Sequence, residues 1–352
     1  MPPITAMLEK HGVTGVSTID ELSGGRNNRV WRVQANDCTL VAKQYFNDPG
    51  DTRKRQRTEY DFSRFIWDAG IRDVPWPFIY EEEVGVTFFE DIPGRKILRD
   101  EVCLAYLKQV IKFVQMINRQ KHRKRALSLP AASESCFSIA EHVYCIEKRV
   151  KRLESVQTST PFERRVWEFI RSTLFPCWEN EKQKVLSSIT SAAYGKILSM
   201  SERCLSPSDL GFHNALLGVN ATLRFIDFEY AGWDDPAKLV CDFFCQPEVP
   251  VSVKWFDVFV QHVTSELPES EQHQKRAKML FPLYQIKWAC ILLNEFLPIG
   301  AKRRVFAGGM LKDEKVKRGQ FQKAKQFIEP ILKQNLIRGT VFDYCEPSGV
   351  CL

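Results

Sequence analysis

The first hundred residues alternate hydrophobic and polar positions in a way that predicts β-strands, one helix and turns. The segments "NRVWRVQA" (28–35) and "CTLVAKQYF" (38–46) have period two and are rich in Val, Trp and Tyr, so they predict an antiparallel pair. The segment "RTEYDFSRFIWDAGI" (57–71) has helical spacing instead. Strand character returns in "FIYEEEVGVTFFEDI" (78–92), with a turn at "EEEVG", and "PGRK" (93–96) interrupts it.

From about residue 97 the hydrophobic period becomes mostly helical. The segment "CLAYLKQVIKFVQMI" (103–117) repeats apolar residues at three and four, and "LYQIKWACILLNEFL" (283–297) is a second such run. Thr160 and Glu163 form a predicted capping box at the start of another helix. Residues 119–136 are predicted to be a flexible loop. The only strand-like island in this half is the stretch at 205–236.

This order predicts an α+β fold of two lobes. Residues 1–95 would form a small β-rich lobe, and residues 96–352 a larger, mostly helical lobe with a short hairpin near 215–228. A chain of 352 residues is long enough for one large or two ordinary cores. Clefts between two lobes commonly bind ligands, so we expect the functional site there.

Composition narrows the class of protein further. No run of about 18 apolar residues predicts a membrane span, and the N-terminus lacks the pattern of a signal peptide. The 11 cysteines have no paired spacing and are expected to be reduced thiols rather than zinc ligands. Together these features predict a cytoplasmic protein. Oligomeric state has no sequence signal.

The net charge of +7 is mild for this length. Three local basic runs, at 53–57, 119–125 and 302–304, are interpreted as solvated helix ends and loops. The alternative is attraction of polyanions, including nucleotides. No helix-turn-helix, zinc finger or aromatic RNA motif accompanies these runs, so specific nucleic-acid binding is not expected.

The stretch "LSPSDLGFHNALLGVNATLRFIDFEYAGWDDP" (205–236) carries the chemistry. It places Asp209, Asn214 and Asp227 beside two apolar runs joined by a turn. Carboxylate and amide oxygens are the ligands that Mg²⁺ prefers, and a carboxylate can also take a proton from a hydroxyl. The spacing therefore suggests a metal and phosphate site, provided that the chain supplies the remaining parts.

Those parts occur earlier in the chain, in order. Phosphoryl transfer from a nucleotide also needs a Gly-rich turn for the phosphates and a positioned Lys. Gly24 and Gly25 lie between two strand-like runs, and Lys43 ends the strand-like "LVAK". Glu59, on the following helix, is placed to pair with Lys43, although Asp61 is a rival. Each feature alone is weak, and their joint order supports the hypothesis.

With these residues the chain resembles the aminoglycoside phosphotransferase and choline kinase group, relatives of protein kinases. That group carries a loop of the form H-G-D-x-x-x-x-N, then a short hairpin and I-D-[FW]; this chain has "PSDLGFHN" and "FIDFEYAGWDDP". The resemblance spans about residues 20–245. It implies an enzyme that uses ATP and Mg²⁺ to phosphorylate a hydroxyl of a sugar, an aminoglycoside or an amino alcohol.

The resemblance also implies roles for individual residues. Asp209 would be the catalytic base, and Asn214 and Asp227 would be the magnesium ligands. Lys43 would contact the nucleotide phosphates, held by Glu59. The remaining nucleotide-binding positions implied are Gly24, Gly25 and Asn28 at the phosphates and the backbone from Glu90 to Ile92 at adenine. Asp242 would be a buried structural residue that supports the catalytic loop.

One position departs from the group's pattern. Pro207 stands where the group has a His that braces the loop by hydrogen bonding. This change leaves open the alternative of a protein kinase or a nucleotide-binding pseudokinase, although no activation-segment pattern follows Asp227.

The acceptor site has weaker signals in the sequence. An aromatic wall could come from Trp233, Tyr284 and Trp288, with Asp234 or Glu295 facing a cationic or polyol acceptor. Core packing is the preferred explanation of these aromatic residues.

Overall fold

The computed structural model describes residues 2–22, 28–46, 53–297 and 314–342. The helices are α1 (Ile4–Lys10), α2 (Arg55–Asp68), α3 (Leu104–Ile117), α4 (Gln120–Arg125), α5 (Ile139–Arg152), α6 (Pro161–Phe169), α7 (Phe175–Ser188), α8 (Ser191–Gly195), α9 (Pro236–Cys245), α10 (Phe256–Thr264), α11 (Ser270–Leu293) and α12 (Glu314–Phe342). The strands are β1 (Thr18–Leu22), β2 (Asn28–Gln34), β3 (Thr39–Tyr45), β4 (Pro77–Glu81), β5 (Val86–Glu90), β6 (Arg95–Lys96), β7 (Cys204–Ser206), β8 (Ala215–Leu217), β9 (Leu223–Phe225) and β10 (Gly232–Asp234).

The N-terminal strands form one antiparallel sheet with the order β1-β2-β3-β5-β4. The predicted pair β2 and β3 is confirmed, with Val30 opposite Lys43. Alternation along β2 buries Trp31 and Val33, which pack with residues of α1 and the neighbouring strands in a small core. The predicted turn "EEEVG" connects β4 to β5, where Gly85 has the positive φ of 68° that favours glycine.

Helix α2 connects this sheet to the rest of the protein. Its buried face carries Glu59, Phe62 and Ile66, spaced by three and four residues. Phe62 and Ile66 belong to the larger core of the helical part, and the Phe62 ring lies 5.5 Å from the ring of Phe228. The helix therefore fixes Glu59, on the sheet side, relative to the segment that contains the motif residues.

The larger part of the chain is helical, as predicted. Helix α6 begins with the predicted capping box, in which Thr160 and Glu163 each accept a hydrogen bond from the other's backbone N–H. The flexible loop predicted at 119–136 is wrong in part, because α4 occupies its first half. Ala131 then forms a parallel bridge with Trp233, which ties the second half to β10.

Short strands position the motif stretch at the boundary of the two parts. Strand β6, directly after "PG", pairs with β8, and β8 pairs with β9 to form the predicted hairpin. Strand β7, which precedes Pro207, pairs with β10. The segment between β7 and β8 is thereby held at both ends. The α+β fold, an antiparallel sheet followed by a helical part, is confirmed; the boundary at residue 95 stays a prediction.

Within the residues that the structure describes, none of the helices combines the length and the apolar composition needed to cross a membrane.

Candidate active site

A cavity of about 570 Å³ lies between the N-terminal sheet and the β8–β9 hairpin. A volume of this size is typical of small-molecule and cofactor pockets. The predicted site residues that the structure describes all line it: Asn28, Lys43, Glu59, Glu90, Ile92, Asp209, Asn214 and Asp227. Gly24 and Gly25 lie outside the described residues. Motif residues that are far apart in sequence therefore share one cavity.

Lys43 is held by two carboxylates from different parts of the chain. Its Nζ donates to Glu59 Oε2 and to Asp227 Oδ1, each at 2.6 Å. Tyr45, two residues along the same strand, donates its hydroxyl to the same oxygen of Glu59 at 2.8 Å. Burial works to lower the pKa of Lys43, but the charges of Asp227 and Glu59 outweigh it and raise that pKa. Lys43 therefore carries its positive charge into the cavity. Asp61, the rival of Glu59, pairs with Arg57 on the outer face of α2.

Asp209 and Asn214 are brought together by a sharp turn between β7 and β8. The Asn214 Nδ2 donates to the backbone oxygen of Asp209 at 3.0 Å and to its Oδ2 at 3.2 Å. Burial works to raise the pKa of Asp209, but contacts with His213 and Asn214 outweigh it and lower that pKa. The carboxylate is about one-third exposed, toward the cavity, and is ionised at neutral pH. Both properties are required of a general base.

Asp227 lies two residues after the end of β9, and its backbone has a positive φ of 71°. This conformation is uncommon for a residue other than glycine and often marks a functional position. Asp227 lies near Glu59 and Glu229, and carboxylate oxygens of the three residues lie within 4.8 Å of one another. Carboxylates with a neighbouring amide such as Asn214 are a donor set that suits Mg²⁺.

Asn28 and the backbone after β5 complete the predicted nucleotide-binding positions. Asn28 begins β2, and its Nδ2 donates to Oε2 of Glu229 at 2.7 Å. This bond connects the sheet to the segment after β9. The Glu90 N–H already donates to the carbonyl of Trp76 at 2.9 Å. The N–H of Ile92 has no backbone acceptor among the described residues. Ile92 is therefore the better placed of the two to donate to a ligand.

Among the polar residues that line the cavity, sequence reasoning missed Lys96, His213 and Glu229, which lie close to the motif residues. The sequence contained a signal for Glu229, because this residue lies two positions after Asp227 in "DFEY" and could have been predicted to share its site. Lys96 had none, since its position depends on the pairing of β6 with β8; its Nζ donates to the carbonyl of His213 at 2.7 Å. His213 Nε2 lies 3.4 Å from Asp209 Oδ1.

The predicted aromatic wall is correct only for Trp288, which lines the cavity together with Glu295. Trp233 is buried instead and donates its indole N–H to the carbonyl of Ala126 at 2.9 Å. Tyr284 is also buried, with its hydroxyl 2.7 Å from a ring nitrogen of His142. Both rings pack in the core because their polar atoms find partners there.

Asp234, the alternative acceptor contact, does not reach the cavity either. It is fully buried and accepts from Lys238 Nζ at 2.7 Å. Asp242 is buried as well and accepts from Lys287 Nζ at 2.8 Å and from the indole N–H of Trp288 at 2.8 Å. Asp242 is buried, as expected, and orients one aromatic residue of the cavity without lining it. Its side-chain partners lie on α9 and α11, so support of the loop that carries Asp209 stays a prediction.

Comparison with known proteins gives both family and fold matches. A sequence profile described as the phosphotransferase enzyme family (APH) matches residues 18–244, more than half of the chain. A search of curated proteins by sequence gives no match.

Solved structures share the fold at low sequence identity. Choline kinase LicA from Streptococcus pneumoniae superposes with a TM-score of 0.56 at 14% identity, over 93% of this chain and 98% of that one. Spectinomycin phosphotransferase APH(9)-Ia, solved with ADP and its antibiotic, gives 0.55 at 11% identity over 92% and 97%. An ethanolamine kinase from Plasmodium vivax gives 0.54 at 13% identity over 86% of each chain.

Proposed function

The chain belongs to the phosphotransferase enzyme family, and on that premise we propose that it transfers the γ-phosphoryl group of ATP, with Mg²⁺, to a hydroxyl of a small molecule. The observation that carries this proposal is the convergence of Lys43, Asp209, Asn214 and Asp227 in one cavity. These residue types supply phosphate neutralisation, a base and metal ligands, which phosphoryl transfer requires. Similar structures solved with ADP or AMP-PNP support a nucleotide as the donor.

Asp209 is assigned to the acceptor. Its carboxylate is ionised and faces the cavity, so it can accept the proton of an acceptor hydroxyl as the oxygen attacks the γ-phosphorus. The new oxygen–phosphorus bond forms as the bond to the β-phosphate oxygen breaks, and ADP leaves. Asp209 then carries the proton and returns it to solvent after the product departs.

The other side of the cavity is assigned to the nucleotide. Lys43, positioned by Glu59, would contact the phosphates, and the Ile92 N–H would donate to adenine. Asn28, Gly24 and Gly25 are proposed to lie beside the phosphates, and the Glu90 backbone at the adenine end.

Asn214 and Asp227 would hold Mg²⁺, and the carboxylates of Glu59 and Glu229 lie close enough to Asp227 to contribute to the same charge cluster. When bound, the ion would neutralise negative charge on the phosphates. Lys43 donates to Asp227, so the lysine proposed for the phosphates lies next to a residue that would hold the ion.

The acceptor is proposed to be a sugar, an aminoglycoside or an amino alcohol. It would bind on the helical side of the cavity, where Trp288 offers a flat aromatic face and Glu295 a carboxylate. An aromatic face with a nearby carboxylate suits a cationic or polyhydroxylated molecule. Choline, ethanolamine and spectinomycin kinases, whose fold this chain shares, act on acceptors of these kinds according to their names.

The direct test is a screen of sugars, aminoglycosides and amino alcohols with ATP and Mg²⁺, scored by the mass of a product heavier by one phosphoryl group. The matched control is Asp209→Asn, which keeps the size of the side chain and removes the base. A product that forms with the wild type and not with this variant supports the proposal. Nucleotide binding without any transfer across the screen would favour the pseudokinase alternative instead.

A further inference from the structure

The carboxylate of Asp209 is contacted on both oxygens by residues of its own loop. Asn214 Nδ2 lies 3.2 Å from Oδ2, and His213 Nε2 lies 3.4 Å from Oδ1. Both residues belong to the short helical turn Phe212–Asn214, four and five positions after Asp209. The loop therefore folds back so that its own end contacts the side chain near its beginning.

The imidazole of His213 occupies space that only a glycine at position 211 leaves open. A Cβ added to Gly211 would lie 2.5 Å from His213 Nδ1 and 2.7 Å from its Cε1, closer than real Cβ contacts. Gly211 has a φ of 177°, extended backbone that any residue adopts. The local backbone therefore does not require glycine, whereas the position of the ring does.

The backbone and the second ring nitrogen restrain His213 further. Its carbonyl accepts from Lys96 Nζ at 2.7 Å, which anchors the turn to β6. Its side chain is 18% exposed, and Nδ1 is buried without a partner in the part of the chain that the structure describes. A buried N–H without an acceptor is costly, so the proton belongs on Nε2, the nitrogen that faces Asp209.

We propose that His213 is a positioning residue for phosphoryl transfer, whose Nε2–H holds Asp209 Oδ1 while Asn214 holds Oδ2. The pair fixes the plane of the carboxylate toward the acceptor side of the cavity. This inference rests on the proposed function, because it gives His213 a role only if Asp209 is the base. The proposal also explains how the loop tolerates Pro207. Among the described residues, the side chains that contact the Asp209 carboxylate follow Asp209 in the sequence, so no hydrogen bond from position 207 is needed to position it.

Two substitutions separate positioning from packing. His213→Phe keeps an aromatic ring of similar size and removes the N–H, whereas His213→Gln removes the ring and keeps an N–H donor. A misplaced catalytic group commonly costs about 10²-fold, so we expect kcat to fall by roughly 10²-fold in His213→Phe and clearly less in His213→Gln. The KM for ATP and the thermal shift caused by Mg²⁺-ATP should change by less than about twofold in both, since His213 is not assigned to the nucleotide.

Gly211→Ala tests the same contact from the other side. The new Cβ should displace the ring, so kcat should fall as in His213→Phe, and the double variant should lose little more than either single variant. His262→Ala, which removes an exposed histidine of α10, is the control and should leave kcat unchanged. Melting temperatures show whether each variant is folded.

The outcomes distinguish this inference from the proposed function. A normal kcat in folded His213→Phe overturns the positioning role, and so does a greater loss of kcat in His213→Gln than in His213→Phe. The proposed function still stands in either case if the wild type transfers phosphate. A parallel rise in the KM for ATP would also overturn it, since that would place His213 at the nucleotide. If the wild type transfers phosphate to no acceptor and not to water, both proposals fall together.

Discussion

Two groups of aspartates lie close together in the motif stretch and just after it. They differ in how far their side chains are exposed. The cavity aspartates, Asp209 and Asp227, have side chains that are 34% and 35% exposed. The side chains of the buried acidic belt, Asp234, Asp235 and Asp242, are at most 6% exposed. In sequence the two groups look alike, because each places acidic residues at short intervals beside apolar runs.

The difference lies in the partners. Each residue of the belt has a cationic or imidazole partner inside the helical core: Lys238 for Asp234 at 2.7 Å, His142 for Asp235 at 2.9 Å and Lys287 for Asp242 at 2.8 Å. Buried charges require such pairing, since desolvation costs several kcal/mol for an unpaired ion.

The cavity aspartates contact fewer fixed partners and face open space. Asp227 shares Lys43 with Glu59, and Asp209 is contacted by an amide and an imidazole rather than by a lysine or arginine side chain within 4.0 Å in the described chain. Accessible carboxylate oxygens can bind a ligand or take a proton, whereas the carboxylate oxygens of the belt are buried in contacts within the core. Substitutions in the two groups should therefore differ in kind: loss of chemistry in the first, loss of stability in the second.

The largest effect is expected from Asp227→Asn. Because it removes a proposed charged ligand of Mg²⁺ and one of the two carboxylates on Lys43, turnover should fall to the background of the assay, and the thermal shift caused by Mg²⁺-ATP should shrink as well. Calorimetry with Mg²⁺-ATP measures the binding loss directly. Asp257→Asn, at an exposed aspartate of α10, is the matched control and should behave as the wild type. Undiminished nucleotide binding in Asp227→Asn would remove the metal assignment.

Asp209→Asn should lose turnover without losing nucleotide. Positioned acid–base groups contribute about 10²–10⁴-fold in rate, so kcat should fall by roughly that factor. Nucleotide and Mg²⁺ should bind as in the wild type, because neither is assigned to Asp209. If this variant lost nucleotide binding to the same degree as Asp227→Asn, the two aspartates would not have separate roles. Normal turnover would show that Asp209 is not the base.

The sequence brought the first group together, but in the second group it indicated burial for Asp242 and not for Asp234. The spacing of Asp209, Asn214 and Asp227 predicted that they meet, because the hairpin between them is local. Glu59 was preferred over Asp61 because of the resemblance, and the structure gives the physical reason: α2 turns Glu59, with Phe62, inward and leaves Asp61 with Arg57 outside.

The proposed acceptor side of the cavity shows more clearly what the sequence could not predict. Trp233 and Asp234 lie on β10, and which way their side chains point depends on the pairing of β10 with β7 and on the bridge to Ala131. Lys96 reaches the cavity only because β6 pairs with β8. Such contacts depend on elements that are far apart in sequence, and no local pattern of hydrophobic and polar residues encodes them.

Lys43→Ala tests the residue that connects the two sides of the cavity. It removes the cation proposed to contact the phosphates and leaves Glu59 and Asp227 without their shared partner, so kcat/KM for ATP should fall by about 10²-fold or more. Lys10→Ala is a suitable control, because Lys10 also pairs with a glutamate of the N-terminal sheet, Glu81, but at an exposed position. Full activity of Lys43→Ala would contradict the phosphate assignment.

The buried acidic belt should respond through stability. Asp242→Asn removes the charge that Lys287 and the indole of Trp288 share, and a buried cation left without its partner typically costs about 3–5 kcal/mol. Urea unfolding should show a loss of that size, while the enzyme that remains folded at low temperature keeps a substantial fraction of its turnover. A stable but inactive Asp242→Asn would mean that the residue acts in the chemistry, and the distinction between the two groups would fail at this position.

The smallest effect is expected from Pro207→Ala, at the point where the loop that carries Asp209 leaves β7. Pro207 is buried, its carbonyl accepts from the Asp209 N–H at 2.8 Å, and Ser208 after it has a φ of 66°. A proline whose fixed φ matches the native backbone stabilises a protein by about 0.4–1 kcal/mol, chiefly by restricting the unfolded chain. Pro207→Ala should therefore lower the free energy of unfolding by about that amount and reduce turnover modestly, with binding of Mg²⁺-ATP intact. A loss of turnover as large as in Asp209→Asn would show instead that the proline itself positions the proposed base. That result would contradict the positioning role proposed for His213.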